Sequence, residues 1–157
     1  MGIVGVVQKS NLFTMRASFQ KVLSEPGIPD LDTRRLRANV IFEECMETIE
    51  ALGFTLAYNE SGPVFVEHTN GPDLEGIVDG SCDSIYVHIG TLTSCGLRAG
   101  PPMKHVSDGN VAKFPYGKGF PHPDVPNKFG KPPGWVQPDH ESIWKRQTID
   151  LSAFPVD

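Results

Sequence analysis

The chain has little cysteine: Cys45, Cys82 and Cys95 are odd in number and form no CxxC pair. A disulfide framework and a zinc knuckle are therefore excluded, and a reducing, cytoplasmic setting is expected. There is no apolar run near the ~20 residues of a membrane span, so no membrane partner is expected. The opening MGIVGVVQKS lacks basic residues ahead of its short apolar stretch and does not read as a signal peptide. GxxxxGK[ST], GxSxG and HExxH are all missing, and the five histidines (His68, His88, His105, His122, His140) are scattered rather than spaced as ligands. Excess positive charge is missing too. A net charge of −5 and a pI near 5.5 argue against stable nucleic-acid binding.

What is present is unevenly distributed. Of 14 prolines, seven fall within residues 115–138, together with four glycines. Residues 23–97 hold 13 acidic against three basic side chains, whereas residues 98–146 hold eight basic against four acidic. A length of 157 residues suits one domain with its own core. The expected organisation is a mainly α fold over residues 1–157, a bundle of four to five helices with a small β-hairpin. A helical core over about 10–113 leads into a Pro/Gly-rich loop, 114–138, and then a short helix and tail, 139–157.

Ser10 is the expected cap of a first helix running to about Leu23, with Phe13, Ala17 and Val22 on one stripe. Asp32 then opens a stronger helix, TRRLRANVIFEECMETIEALG, ended by Gly53, with Leu36, Val40, Cys45 and Ile49 as its apolar stripe. FTLAY (54–58) and VFVEH (64–68) flank Asn59–Pro63 as a hairpin that needs support from the helices. Asp73 caps a third helix closed by Gly96. Gly76, Gly80 and Gly90 inside it each cost about 1 kcal/mol against Ala, which implies close packing against a helix or a ligand. Pro101 and Pro102 suit the first turn of a fourth helix reaching Lys113, and a fifth is expected from about Pro138 through Trp144.

Two acidic sets stand on the second and third helices. Glu43-Glu44-Cys45-Met46-Glu47 is an EExxE pattern in which Glu44 and Glu47 share a face at i,i+3. Asp79 and Asp83 share a face at i,i+4, with Glu75 one turn earlier. Antiparallel packing of the two helices would gather four carboxylates around one volume. Such a group calls for a counter-charge, and all-oxygen ligands favour Mg²⁺ or Mn²⁺ over Zn²⁺. Either Asp is costly inside the apolar run of Ile77, Val78, Ile85, Tyr86, Val87 and Ile89 unless it serves a purpose.

Complementary cations follow at Lys104, Lys113, Lys118, Lys128 and Lys131. Mg²⁺ held by few carboxylates normally completes its shell with substrate phosphates. Asn110 and Lys113 are i,i+3 and can reach one ligand, and Lys131-Pro-Pro-Gly-Trp135 sets a cation beside an aromatic ring. A base or sugar fits beside such a ring.

EExxE, followed after a helix break by VDGSCDSIYV, resembles the all-α nucleoside triphosphate pyrophosphohydrolases of the MazG and HisE type. The resemblance spans Arg34 to Asp139 and is nearest to short phage-type members, whose stretches read approximately ADGLADLIYV and SNMxK. Here DGNVAKF stands at the second, and PPGWVQPD follows. The resemblance implies a helical homo-oligomer, a tetramer rather than a dimer, that uses Mg²⁺ or Mn²⁺ (two or three ions) to convert an NTP or dNTP, with (d)GTP favoured, to monophosphate and pyrophosphate. By motif, Glu44, Glu47 and Asp83 are ligands, and Glu43 orients water. The Glu of the family's ExxD is replaced by Gly80, with Asp79 its natural substitute and Glu75 in reserve. Asn110 and Lys113 match SNMxK, whose Ser is replaced by Gly109. The expected catalytic residues are Glu43 and Glu44, the metal ligands Glu44, Glu47, Asp79 and Asp83, and the substrate-binding residues Asn110, Lys113, Lys131 and Trp135. The competing expectation is a helical nucleotide-binding or sensing module without turnover, to which the Gly80 and Gly109 departures lend weight.

Overall fold

The computed structural model describes residues 3–17, 21–137, 139–145, 147 and 149. The chain is mainly helical with one small antiparallel hairpin. In order it forms α1 (Ile3–Arg16), α2 (Leu31–Ala51), β1 (Phe54–Asn59), β2 (Gly62–Glu67), α3 (Leu74–Ser94), α4 (Gly100–Val111) and α5 (His140–Trp144). A 3₁₀ turn spans Pro115–Gly117. Helix α3 is central: α2 packs on one side and α1 on another, while α4 packs with α5.

The start of the chain departs from expectation. Ser10 lies inside α1 and caps nothing. It is fully buried, and its hydroxyl donates to the Tyr86 carbonyl at 3.0 Å. Phe13 meets Tyr86 edge-to-face at 5.8 Å, and Thr93 Oγ1 donates to Asn11 Oδ1 at 2.7 Å. Contacts to α3, absent from any local signal, thus place this helix, and it ends at Arg16. Residues 21–23 are not helical, and the rest of the expected extension, 18–20, lies outside the described residues.

Helix α2 begins earlier than expected because Asp30, rather than Asp32, is its cap. The Asp30 carboxylate accepts from Thr33 N–H at 2.8 Å and from Lys21 Nζ at 2.6 Å. Those two donors, Lys21 first, hold its pKa far below the usual carboxylate range. At the other end Gly53 takes φ +88°, a left-handed turn that ends the helix where a side chain would be strained.

The contact between α2 and α3 is made by small and polar residues. A methyl group on Gly76 would sit 3.0 Å from Ala51 Cβ. On Gly80 it would sit 2.7 Å from Thr48 Oγ1 and 3.1 Å from the Thr48 backbone nitrogen. On Gly90 it would sit 2.6 Å from Arg37 Nη1. The glycines therefore mark close helix approach. The α2 residues that meet the α3 glycines are Arg37, Thr48 and Ala51, with Glu44 on the same helix face, and the expected apolar stripe of Leu36, Val40, Cys45 and Ile49 is half-buried. Burial of Arg37, 7% exposed, lowers its pKa.

The hairpin pairs Phe54 with Glu67 through Asn59 with Gly62. Its turn is two residues, Glu60 and Ser61, tighter than the expected five, because Asn59 Oδ1 accepts from Ser61 N–H at 2.9 Å and Gly62 supplies a positive φ. Helix α4 starts at Gly100 with prolines in its first turn and stops two residues short of Lys113. Asp139 caps α5 by accepting from Ser142 N–H, while Pro138 and the tail from Asp150 onward lie outside the described residues. The 114–138 loop is held by its own contacts. Phe114 and Phe129 meet edge-to-face at 4.8 Å, and Gly130 N–H donates to Phe120 O at 2.6 Å.

Candidate functional site

Antiparallel packing of α2 on α3 sets Thr48 against Gly80 and Ser84, with Thr48 Oγ1 and Ser84 Oγ 3.4 Å apart. One turn back along α2 this places Glu44 at the seam, half-buried, where the α3 carboxylates face it. Its pKa is raised, first by loss of solvent and then by the charges of Asp83, Glu47, Glu43 and Asp79. Four of the acidic residues singled out by pattern thus act on a fifth, Glu44. Glu43, Glu47, Asp79 and Asp83 are exposed at the rim of the same seam. The charge of Asp83 also raises the Tyr86 pKa, after the effect of burial.

The packing of Gly80 explains why no glutamate stands at this position. It is buried against the Thr48 backbone, so a glutamate side chain has no room there. Asp79, one residue earlier, is exposed and repels Glu44. As the side chains stand, no three His, Cys, Asp or Glu groups among the described residues are close enough to hold one metal ion. The donor set still suits a hard divalent cation in charge and chemistry: it is all carboxylate, with one member half-buried and reluctant to ionise. Holding an ion would require the exposed Glu47, Asp79 and Asp83 side chains to change rotamer.

A second constellation forms at the end of α4. Asn110, Lys113, Lys131 and Trp135, named together from sequence, line one cavity of about 220 Å³ with Val106, Gly109 and Gln137. The Trp135 indole N–H donates to the Gly109 carbonyl at 3.1 Å and pins the loop to the helix. Lys131 Nζ lies 4.6 Å and Lys113 Nζ 5.7 Å from the Trp135 ring centroid. Each such contact is worth roughly 0.5–1 kcal/mol at an exposed site. Lys113 Nζ also donates to Asn110 Oδ1 at 2.8 Å. By contrast, Lys104 is spent on Asp108, 2.6 Å away.

Sequence reasoning missed Val106 and Gln137 as lining residues, and it missed Thr48 as the strut under the carboxylates. Gln137 had a signal, two residues beyond Trp135 in PPGWVQPD. Val106 shares a face with Asn110 and Lys113 at i,i+4 and i,i+7. No known family matches this chain, and no curated protein matches it.

Proposed function

We propose that the chain is a metal-dependent nucleoside triphosphate pyrophosphohydrolase, converting a (d)NTP, with (d)GTP favoured, to monophosphate and pyrophosphate. The observation that carries this reading is the half-buried Glu44 carboxylate, its pKa raised by burial and by four other carboxylates, Asp79 and Asp83 across the α2/α3 seam and Glu43 and Glu47 on its own helix. Unrelieved mutual repulsion at a helix contact is a cost that a bound cation removes. Glu44, Glu47, Asp79 and Asp83 would hold Mg²⁺ or Mn²⁺. Such ions neutralise phosphoryl oxygens and acidify an attacking water.

The chain's own contributions follow from charge and position. Glu43 accepts the proton of the water that attacks the α-phosphorus, the α–β bridging bond breaks, and pyrophosphate leaves. Lys113 and Lys131 offset the charge that develops on the leaving group, with Asn110 and Trp135 completing its contacts. Guanine preference rests on the family resemblance alone.

Assembly with further copies, as a tetramer, belongs to the same reading. Among the described residues only Ile89, Ala99 and Ile149 are buried hydrophobics, whereas twenty large hydrophobics are exposed. That core is thin for a chain of this size. On α3, Leu74 (76% exposed), Val78 (58%) and Ile85 (51%) follow a spacing of four then seven along one helix face. A second copy of that helix is the fitting cover.

One observation favours a second reading, a nucleotide-binding module without turnover: among the described residues no three ligand groups converge as they stand. Incubation with Mn²⁺ and each of dGTP, dATP, dCTP and dUTP separates the two. Pyrophosphate release supports the enzyme, and saturable nucleotide binding without release supports the module. Comparable rates on all four substrates would overturn the guanine preference.

A further inference from the structure

The cavity between α4 and the 130s loop has a composition unlike the rest of this acidic chain. No carboxylate lines it. Its polar groups are two ammonium ions, Lys113 and Lys131, and two amides, Asn110 and Gln137. The Asn110 carbonyl oxygen is already engaged by Lys113 Nζ, which leaves its NH₂ group to donate. Among the described residues neither lysine has an acidic partner, and both rest over the Trp135 ring instead. The ring cannot turn away freely, because its N–H is tied to the Gly109 carbonyl.

At about 220 Å³ the cavity falls below the roughly 300–1,000 Å³ of sites that enclose a drug-sized ligand. Its enclosed part therefore takes one end of a nucleotide, and its open side leaves the rest in solvent. Charge decides which end. A neutral base offers the two ammonium groups no opposite charge. A phosphate chain pairs with both and draws donors from Asn110 and Gln137.

We propose that this cavity is a self-sufficient anion site that binds a diphosphate without metal, so that free inorganic pyrophosphate occupies it and competes with the triphosphate. The choice of diphosphate rests on the proposed reaction, whereas the anion site itself rests on the cavity. Gln137 becomes a phosphate-contacting residue, and Trp135 becomes a wall that reports occupancy when the lysines leave its face.

The test uses the full chain carrying Trp144→Phe, which leaves Trp135 as the sole indole, titrated with sodium pyrophosphate in EDTA. The expected result is a saturable change in indole emission. Lys113→Ala and Lys131→Ala each weaken it about tenfold or more, and Lys131→Arg restores it. Guanosine leaves the emission unchanged. An absent response to pyrophosphate at low salt, or a guanosine response that survives Lys131→Ala, would overturn the anion site. Pyrophosphate binding without any triphosphate turnover in Mn²⁺ sustains the site and removes the proposed enzyme. Turnover without metal-free binding does the reverse.

Discussion

Glu44 owes its properties to its place in the helix contact. Thr48, one turn along, is held against Gly80, which draws Glu44 out of solvent and toward Asp83 and Asp79. Asp30, at the N-terminus of α2, shows the opposite case: bonds from Lys21 and Thr33 favour its charged form. A depressed folded pKa means stability that is complete above the ordinary value of 3.8 and is lost as pH falls below it. Chemical denaturation at neutral pH should therefore find Asp30→Ala less stable than wild type. The gap should close as pH is taken progressively below 3.8. A gap independent of pH would mean that the capping charge is not the source.

Helices α2 and α3 form the element on which the candidate site depends, and Gly80 sets their separation. Gly80→Ala forces its new methyl group against Thr48, including backbone atoms that cannot rotate away. Overpacking of this kind costs about 1–3 kcal/mol, and urea denaturation should show that loss. The same variant should respond less to Mn²⁺ in a thermal-shift assay, because the carboxylate pairs are moved apart. Legibility in the sequence tracked how local each signal was. The Asp73 cap, the Gly53 and Gly96 stops and the prolines opening α4 are local, and they gave α3, α4 and most of α2. The place of α1 and the glycine-facing residues of α2 depend on Tyr86, Gly90 and Gly80 across the fold, and no periodicity count reaches those. The acidic pairs were readable from spacing because helix geometry alone puts Glu44 with Glu47 and Asp79 with Asp83. That Gln137 and Val106 line one cavity is decided only when the proline-rich loop folds back onto α4.

For the whole molecule, segregated charge and a thin core belong to one design. The acidic seam of α2/α3 and the basic cavity at α4 are two separate regions of a chain whose net charge is −5, and the proposed reaction assigns the metal to the first and the phosphates to the second. No helix among the described residues is long and apolar enough to cross a membrane, so the exposed stripe on α3 is not a span. Self-association then predicts that Val78→Asp combined with Ile85→Glu shifts the chain to a smaller species in sedimentation while far-ultraviolet circular dichroism keeps its helical signal. An unchanged sedimentation coefficient would remove that stripe as the interface. Pyrophosphate release from dGTP with Mn²⁺, compared between wild type, Glu44→Gln and Asp83→Asn, tests the proposed chemistry at the α2/α3 carboxylates. Wild type should release pyrophosphate, and each variant, folded and at least as stable without metal, should lose nearly all of that activity. Release by both variants within about tenfold of wild type, a difference of only ~1.4 kcal/mol in the barrier, would contradict the assignment of chemistry to the α2/α3 carboxylates.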